Sequence, residues 1–542
     1  MWYRIVFAVL VAGALCVWLS ATLSAQANDL IFPGDENWDP NIGSLVLTHT
    51  VHSLAFDQGY LYLGEGFGDG NKHIRRWDGA NWQSIAANVD GSVLALVTAA
   101  DGKLYAGGYF TQTGSCNPCK RVAVWDGTGW SPVGNTITGE VTALAIHDNK
   151  LYAGVFYEYP NPSRIKRWDG TGWINEPITD TISEFVSHPN GLFAAGKKIV
   201  IDEDSGDQIT FPSLRVKRND GWHDLGSGFA NSNSNSLFSL AFYPSTVFTP
   251  TVGGDFIEPP RYLLTWSENG WTSIGKPDDD VLALAADSCG GLYVGGEFRK
   301  IENENYPFLA YYDGTDWHSL GDSFSPLPPS IEVLRFYHGY LAVGGVFTQT
   351  LGSQKHRNIA LWIGRDCHSI AASGVYTFYA WRQPVVIEIA TPGNLAQIRV
   401  QRFNRNHSAA DEITHPNLRT GVYWQIEGLD SSGNAASGMV YTLTLPTVGF
   451  TPDAKDKICH YTNLAWDCAA SRYDATRKTI TRGGLTSFSD FTVGNDVGPT
   501  AVRVTAIHSQ PARSSLMLII GIITGALWIG SRRLHRRGSQ AD

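Results

Sequence analysis

Short apolar runs separated by glycine-marked turns organise most of the chain. Val93-Leu-Ala-Leu-Val, Val141-Thr-Ala-Leu-Ala-Ile and Val281-Leu-Ala-Leu-Ala are almost wholly apolar, the pattern of a strand buried on both faces. Each leads to a second run ending in glycine: Leu104-Tyr-Ala-Gly-Gly-Tyr-Phe110, Leu151-Tyr-Ala-Gly154 and Leu292-Tyr-Val-Gly-Gly-Glu-Phe298. The glycines predict a place where another backbone comes too close for a side chain. A third run ends in an aromatic and a fourth begins with Trp, as in Val122-Ala-Val-Trp-Asp-Gly-Thr-Gly-Trp130, Ile165-Lys-Arg-Trp-Asp-Gly-Thr-Gly-Trp173 and Tyr311-Tyr-Asp-Gly-Thr-Asp-Trp317. Asp and Gly supply the turn conformations such a hairpin needs. These aspartates therefore read as turn formers and not as catalytic acids. The pattern predicts units of four antiparallel strands.

The unit repeats. A first copy runs from Val51 to Ala86, and weaker copies run from Ile182 to Gly226 and from Leu237 to Gly275. A seventh runs from Ile331 to Ile370, with Trp362-Ile-Gly in place of Trp-Asp-Gly and Cys367 in place of the last Trp. The final aromatic recurs at Trp82, Trp130, Trp173, Trp222, Trp271 and Trp317, at spacings of 48, 43, 49, 49 and 46. A period in the forties with four strands per unit is the signature of a propeller blade. Trp38-Asp-Pro-Asn-Ile-Gly43 looks like an isolated fourth strand, which could close the ring or belong to an extra partial blade. The expected fold is all-β: a seven-bladed (six to eight) β-propeller, followed by a β-sandwich and a C-terminal transmembrane helix.

The pattern LYxGGxF, WDGxxW, xxLG, VxALA resembles bacterial cell-surface proteins with kelch-like or Rax2-like propeller repeats, over residues 35–370. The resemblance implies the architecture. It implies no activity, because kelch-type propellers host binding proteins and enzymes alike.

The ends suggest export. The apolar run Ile5 to Leu19 follows Arg4 and precedes Ala25-Gln26-Ala27, so residues 1–27 read as a signal peptide. Residues 514–531 carry no charge and are followed by Arg532, Arg533, Arg536 and Arg537. At about 1.5 Å per residue this segment spans a hydrocarbon core of about 30 Å, with its basic flank inside the cell. Between the repeat and this segment, alternating stretches such as Val385-Val-Ile-Glu-Ile-Ala and Val440-Tyr-Thr-Leu-Thr-Leu predict a membrane-proximal β-sandwich over 371–495. A stalk is expected over 496–513 and a cytoplasmic tail over 532–542. The expected location is the plasma membrane, single-pass, with the ectodomain at the cell surface.

Composition narrows the chemistry. A net charge of −10 gives no electrostatic footprint for nucleic acid. Six cysteines remain beyond the leader, and an even number in an exported chain favours disulfides. Their simplest pairing is Cys116 with Cys119, Cys289 with Cys367 and Cys459 with Cys468. His223, His318 and His368 share one slot after the final Trp or its Cys replacement; they are expected on the outer fourth strand at the rim, far from any axial copper site. The acidic loop holding Asp202, Asp204 and Asp207 is a candidate calcium site, although its glycine comes one position early for an EF-hand. No other cofactor is expected.

Function is expected on loops held by the scaffold. The candidate ligand-binding residues are Tyr157, Tyr159, Asp278, Asp279, Asp280, Glu302 and Glu304, on loops between strands two and three or between blades. The leading expectation is a binding or adhesion module for an extracellular protein or glycan. The alternatives are an extracellular oxidase or carbohydrate-active enzyme, and a structural envelope protein. No catalytic residue is assigned.

Overall fold

The computed structural model describes residues 34–495, apart from 43–46, 58, 67–69, 71, 135, 159–160, 202–207, 226–235, 243–248, 257–260, 268–269, 322–323, 352–353, 410–417, 419–420, 463–464 and 470. The expected signal peptide, stalk, membrane helix and basic tail lie outside the described residues, as do Tyr159, Asp202, Asp204 and Asp207. Among the described residues no helix is long and apolar enough to cross a membrane.

The chain is all-β and propeller-like. Six successive four-stranded antiparallel sheets begin with inner strands Val51–Phe56, Val93–Thr98, Glu140–His147, Thr181–His188, Leu237–Phe242 and Val281–Ala286. A seventh sheet contains Phe324–Tyr337, Tyr340–Leu351 and Gln354–Ile363. Each inner strand lies against those of its two neighbours, and the seventh returns to the first, which makes a ring. The glycines of the second strands allow this approach. A Cβ on Gly107 would come within 2.6 Å of Val141 Cγ1 in the next sheet, and one on Gly344 within 2.6 Å of Val51 Cγ1 across the ring closure.

The tryptophans clasp adjacent sheets. Trp130 Nε1 donates to Ile85 O at 2.9 Å, Trp173 to Val133 O at 2.9 Å and Trp222 to Glu176 Oε2 at 3.0 Å. The N-terminal segment joins the same series: Trp38 bridges Trp362, its Nε1 donates to Leu320 O at 2.8 Å, and Ile42 O accepts from Trp82 Nε1 at 2.8 Å. Residues 38–42 thus fill the fourth-strand place of the seventh sheet.

This corrects the extent of the seventh repeat. Residues 365–369, expected to finish it, pair instead with Gln397–Phe403. The place beside Gln354–Ile363 is already held by Trp38, and Trp362-Ile363-Gly364 lacks the aspartate that folds back the hairpins of sheets one, two, three and six. In those hairpins the carboxylate caps the turn: Asp126 Oδ1 accepts from the amides of Thr128 and Gly129 at 2.8 and 2.9 Å. Arg365–Ser369 opens a six-stranded sheet with Gln397–Phe403, Tyr423–Leu429, Asp490–Asn495, Asp456–Thr462 and Ala465–Ala469. A five-stranded sheet comprises Gly374–Phe378, Val385–Thr391, Val440–Pro446, Thr479–Leu485 and Arg472–Asp474. Ile387 and Leu443 of this sheet share one buried cluster with Val400 and Ile426 of the other, and with Leu63 and Ala342 of the ring. The cysteines are bonded as 116–119, 289–367 and 459–468.

Candidate functional site

Antiparallel alternation gives the ring two chemically different ends. Turns between strands one and two, and between three and four, lie at one end. Connections between strands two and three, and between sheets, lie at the other. The C-terminal sheets cover the first end over sheets six, seven and one. Trp381 meets Phe56 and Trp77 edge-on at 5.1 and 5.9 Å between ring centroids, Tyr340 donates to Arg382 O at 2.6 Å, and Cys289 is bonded to Cys367. A concavity of about 620 Å³ at this junction has Arg382 paired with Asp39 at 2.7 Å and Arg402 donating to Gln383.

The axis is constricted towards the open end and widens to about 440 Å³ towards the other, between the inner strands of sheets two to seven. All seven inner strands line a central cavity of about 90 Å³. A bulge falls at the same place in each sheet, between Val93 and Ala95 in the second and between Val281 and Ala283 in the sixth. The extra residue, such as His52, Thr142, Ser183 or Glu332, lines the channel. A hydrogen-bond network crosses it. Glu184 Oε2 accepts from Ser239 Oγ and from Leu240 N, both at 2.8 Å; Ser239 Oγ accepts from Leu284 N at 2.8 Å; Arg335 Nη1 donates to Glu184 Oε1 at 3.1 Å. His52 lies 3.9 Å from Glu332, and burial pushes its imidazole below the ordinary range.

Carboxylates gather at the open end. Asp255 follows the second strand of sheet five, Asp279 and Asp280 precede sheet six, and Glu297 follows its second strand. Burial first, then the charges of Asp255, Asp279 and Glu297, pushes Asp280 up to about 6. Glu297 is raised by burial, then by Asp279 and Glu332, so the negative field runs from the loops to the channel mouth. Among the described residues Asp279, Asp280 and Glu297 form no ion pair. Such an arrangement is incompletely neutralised and suits a cation.

The expected site residues fall into separate roles. Asp279 and Asp280 belong to this cluster. Asp278 does not: its carboxylate accepts from the amides of Arg299 and Lys300 at 2.8 and 2.9 Å, as Asp90 does from Thr111 and Gln112 at 2.8 and 3.0 Å. Both clasp one loop to the next. Glu302 and Glu304 are exposed on the small hairpin Lys300–Ile301/Glu304–Asn305, where their charges act on Tyr306 at the outer side. Tyr157 is half-buried and packs on the core of sheet three. Among the rim histidines, His223 pairs with Asp220 and His318 with Asp313, both at 2.8 Å. His368 is displaced from the rim, because its strand belongs to the six-stranded sheet.

Asp255 and Glu297 were not singled out from sequence, yet they share a signal. Each occupies the variable place in Gly-Gly-x-Phe. Tyr109 and Val346 occupy it in sheets two and seven, 57% and 40% exposed. The amide of this residue bonds the connection entering its sheet: Tyr109 N to Ser92 O at 2.9 Å, Asp255 N to Ser236 O at 3.3 Å, Glu297 N to Asp280 O at 3.0 Å. The repeat therefore sets one variable side chain at the open end in each of sheets two, five, six and seven. Arg121 stacks over Tyr109 at 4.0 Å, so aromatic and acidic sectors coexist.

No family model and no curated protein matches the sequence. Solved structures similar to part of the chain are propellers of low identity. "YCF48 bound to D1 peptide" is 14% identical, with 60% of this chain and 97% of that one covered at a TM-score of 0.40. "Structure of U3-55K" is 12% identical, covering 61% and 100% at 0.41, and the WD40 β-propeller domain of Doa1 is 12% identical, covering 60% and 96% at 0.37.

Proposed function

We propose that the chain is a seven-bladed β-propeller followed by a β-sandwich, and that it binds a protein partner through its open end. The observation that carries this reading is the asymmetry of the ring. One end is covered by the C-terminal sheets over sheets six, seven and one, while the other presents the Gly-Gly-x-Phe residues and the carboxylates of sheets five and six. The acidic sector selects a segment bearing Lys or Arg, and Tyr109 of sheet two offers a separate aromatic contact at the same end. In the full chain, residues 1–27 direct export and 514–531 anchor the protein. The support is the small-residue site at Ala25-Gln26-Ala27 and the four arginines that follow the apolar run. The C-terminal sheets lie between the ring and the anchor in the sequence and then act as a spacer.

Fluorescence anisotropy with labelled lysine-rich and glutamate-rich decapeptides, run beside an oligosaccharide panel, tests this. The lysine peptide should bind, with affinity falling as salt rises. Asp280→Asn or Glu297→Gln should each weaken it about fivefold, the effect of roughly 1 kcal/mol per charge. Equal binding of both peptides, or no change in the variants, would overturn the reading. Sugar binding insensitive to the variants would favour a glycan ligand held elsewhere.

A further inference from the structure

The turn between the first two strands of the seventh sheet is Tyr337-His338-Gly339-Tyr340, with His338 and Gly339 at φ of 45° and 82°. Two-residue hairpins of this kind favour Asn, Asp or Gly at the first place, as Asp148 does in sheet three at 48°. Histidine tolerates the conformation. Here it brings an imidazole to the strand Arg365–Ser369, where Asp366 and His368 lie on one face, two residues apart. One ligand atom from each of His338, Asp366 and His368 lies within 4.8 Å of the others.

The three residues are supported unequally, as metal ligands and their supports often are. Asp366 is 1% exposed, and its carboxylate accepts from Tyr379 N at 2.7 Å and Ser288 Oγ at 3.2 Å. The His368 ring is held edge-on by Phe378 at 4.6 Å between centroids, and its Nε2 lies 3.8 Å from Asp366 Oδ1. Both histidines are half-buried, and among the described residues neither imidazole makes a hydrogen bond. The neighbouring Cys367 is bonded to Cys289, which fixes the backbone of the cluster to the ring.

We propose that His338, Asp366 and His368 bind a divalent transition-metal ion, zinc in the first instance, which ties the ring to the C-terminal sheets. Two imidazoles and one carboxylate suit zinc, with water completing the coordination. Bonds of about 2.0–2.2 Å set tetrahedral ligands about 3.3 Å apart, so side-chain rotation brings these atoms into place. The Ser288 hydroxyl and Tyr379 amide are the outer donors that orient the carboxylate.

The full-length protein, stripped with chelator, is dialysed against about 100 µM zinc chloride, and bound metal is measured by elemental analysis. Cobalt(II) substitution is followed by visible absorption. One equivalent of zinc is expected, with a raised Tm and cobalt bands of four-coordinate intensity. His338→Asn keeps a residue suited to the turn, and His368→Gln keeps a polar strand residue; each should fold with an unchanged metal-free Tm and lose the bound equivalent. Uptake below half an equivalent, or equal uptake by wild type and both variants, would overturn the proposal.

Discussion

Removing the Glu184 side chain tests how the ring is tied across its axis. Glu184 is 12% exposed and accepts from a buried serine, a buried backbone amide and a more exposed arginine. In Glu184→Ala the Leu240 amide loses its acceptor, at a cost of about 1–3 kcal/mol for a buried unsatisfied donor. Ser239 loses one partner but keeps the Leu284 amide. Arg335 is 40% exposed, so solvent screening limits the ion pair to about 0–1 kcal/mol. The sum is about 1–4 kcal/mol. An unfolding entropy of about 2.1 cal/mol/K per residue over roughly 330 ring residues turns 3 kcal/mol into a Tm lower by about 4 °C. Arg335→Ala should cost under about 1 kcal/mol, and Glu184→Gln, which can still accept, about 1 kcal/mol. Urea unfolding followed by near-UV circular dichroism reads all three. If Arg335→Ala destabilised as much as Glu184→Ala, the ion pair and not the buried donors would dominate, and the reasoning would fail.

Trp38→Ala should cost about 3–5 kcal/mol, the range for emptying a large buried aromatic site, because Trp38 packs at 5.0 Å from Trp362 and bonds Leu320. Protease cutting within residues 324–363 should accelerate; a cost below about 1 kcal/mol would mean that the N-terminal segment does not close the ring. Asp280, raised to about 6 by burial and like charges, binds its proton more tightly folded than unfolded. Its contribution to stability is therefore present below about pH 4 and lost as pH rises to about 6. Buried histidines such as His460, held down to about 4 by burial, lose stability over pH 7 to 5 and oppose this contribution, so Asp280→Asn should show a larger fall in Tm than the wild type across that interval. The turn aspartates oppose this only below about pH 4, since Asp126 is held down to about 2 by its turn amides. An unchanged pH profile in the variant would assign the dependence to other groups.

How much of this was legible in the chain depends on the range of the interaction. The apolar inner strands, the glycine pairs and the Asp-Gly turns are visible because each answers to a backbone requirement within a few residues. The repeat is visible because every sheet meets the same neighbours. The role of Asp278 was concealed: its acceptor contacts lie 21 and 22 residues away, and nothing in Asp278-Asp-Asp280 distinguishes the loop clasp from the free charges. Asp255 and Glu297 carried a faint signal in Gly-Gly-x-Phe, but their meeting with Asp280 requires two adjacent sheets.

The sequence by itself determined the unit, its period and its turn chemistry, because those follow from local sterics and alternation. Only the tertiary structure decided which segment completes the seventh sheet, which end the C-terminal sheets cover, and that His338 meets Asp366 and His368. Those outcomes depend on the closure of a ring. Closure brings together residues separated by one repeat or by nearly the whole chain, and pattern along a strand does not encode that distance.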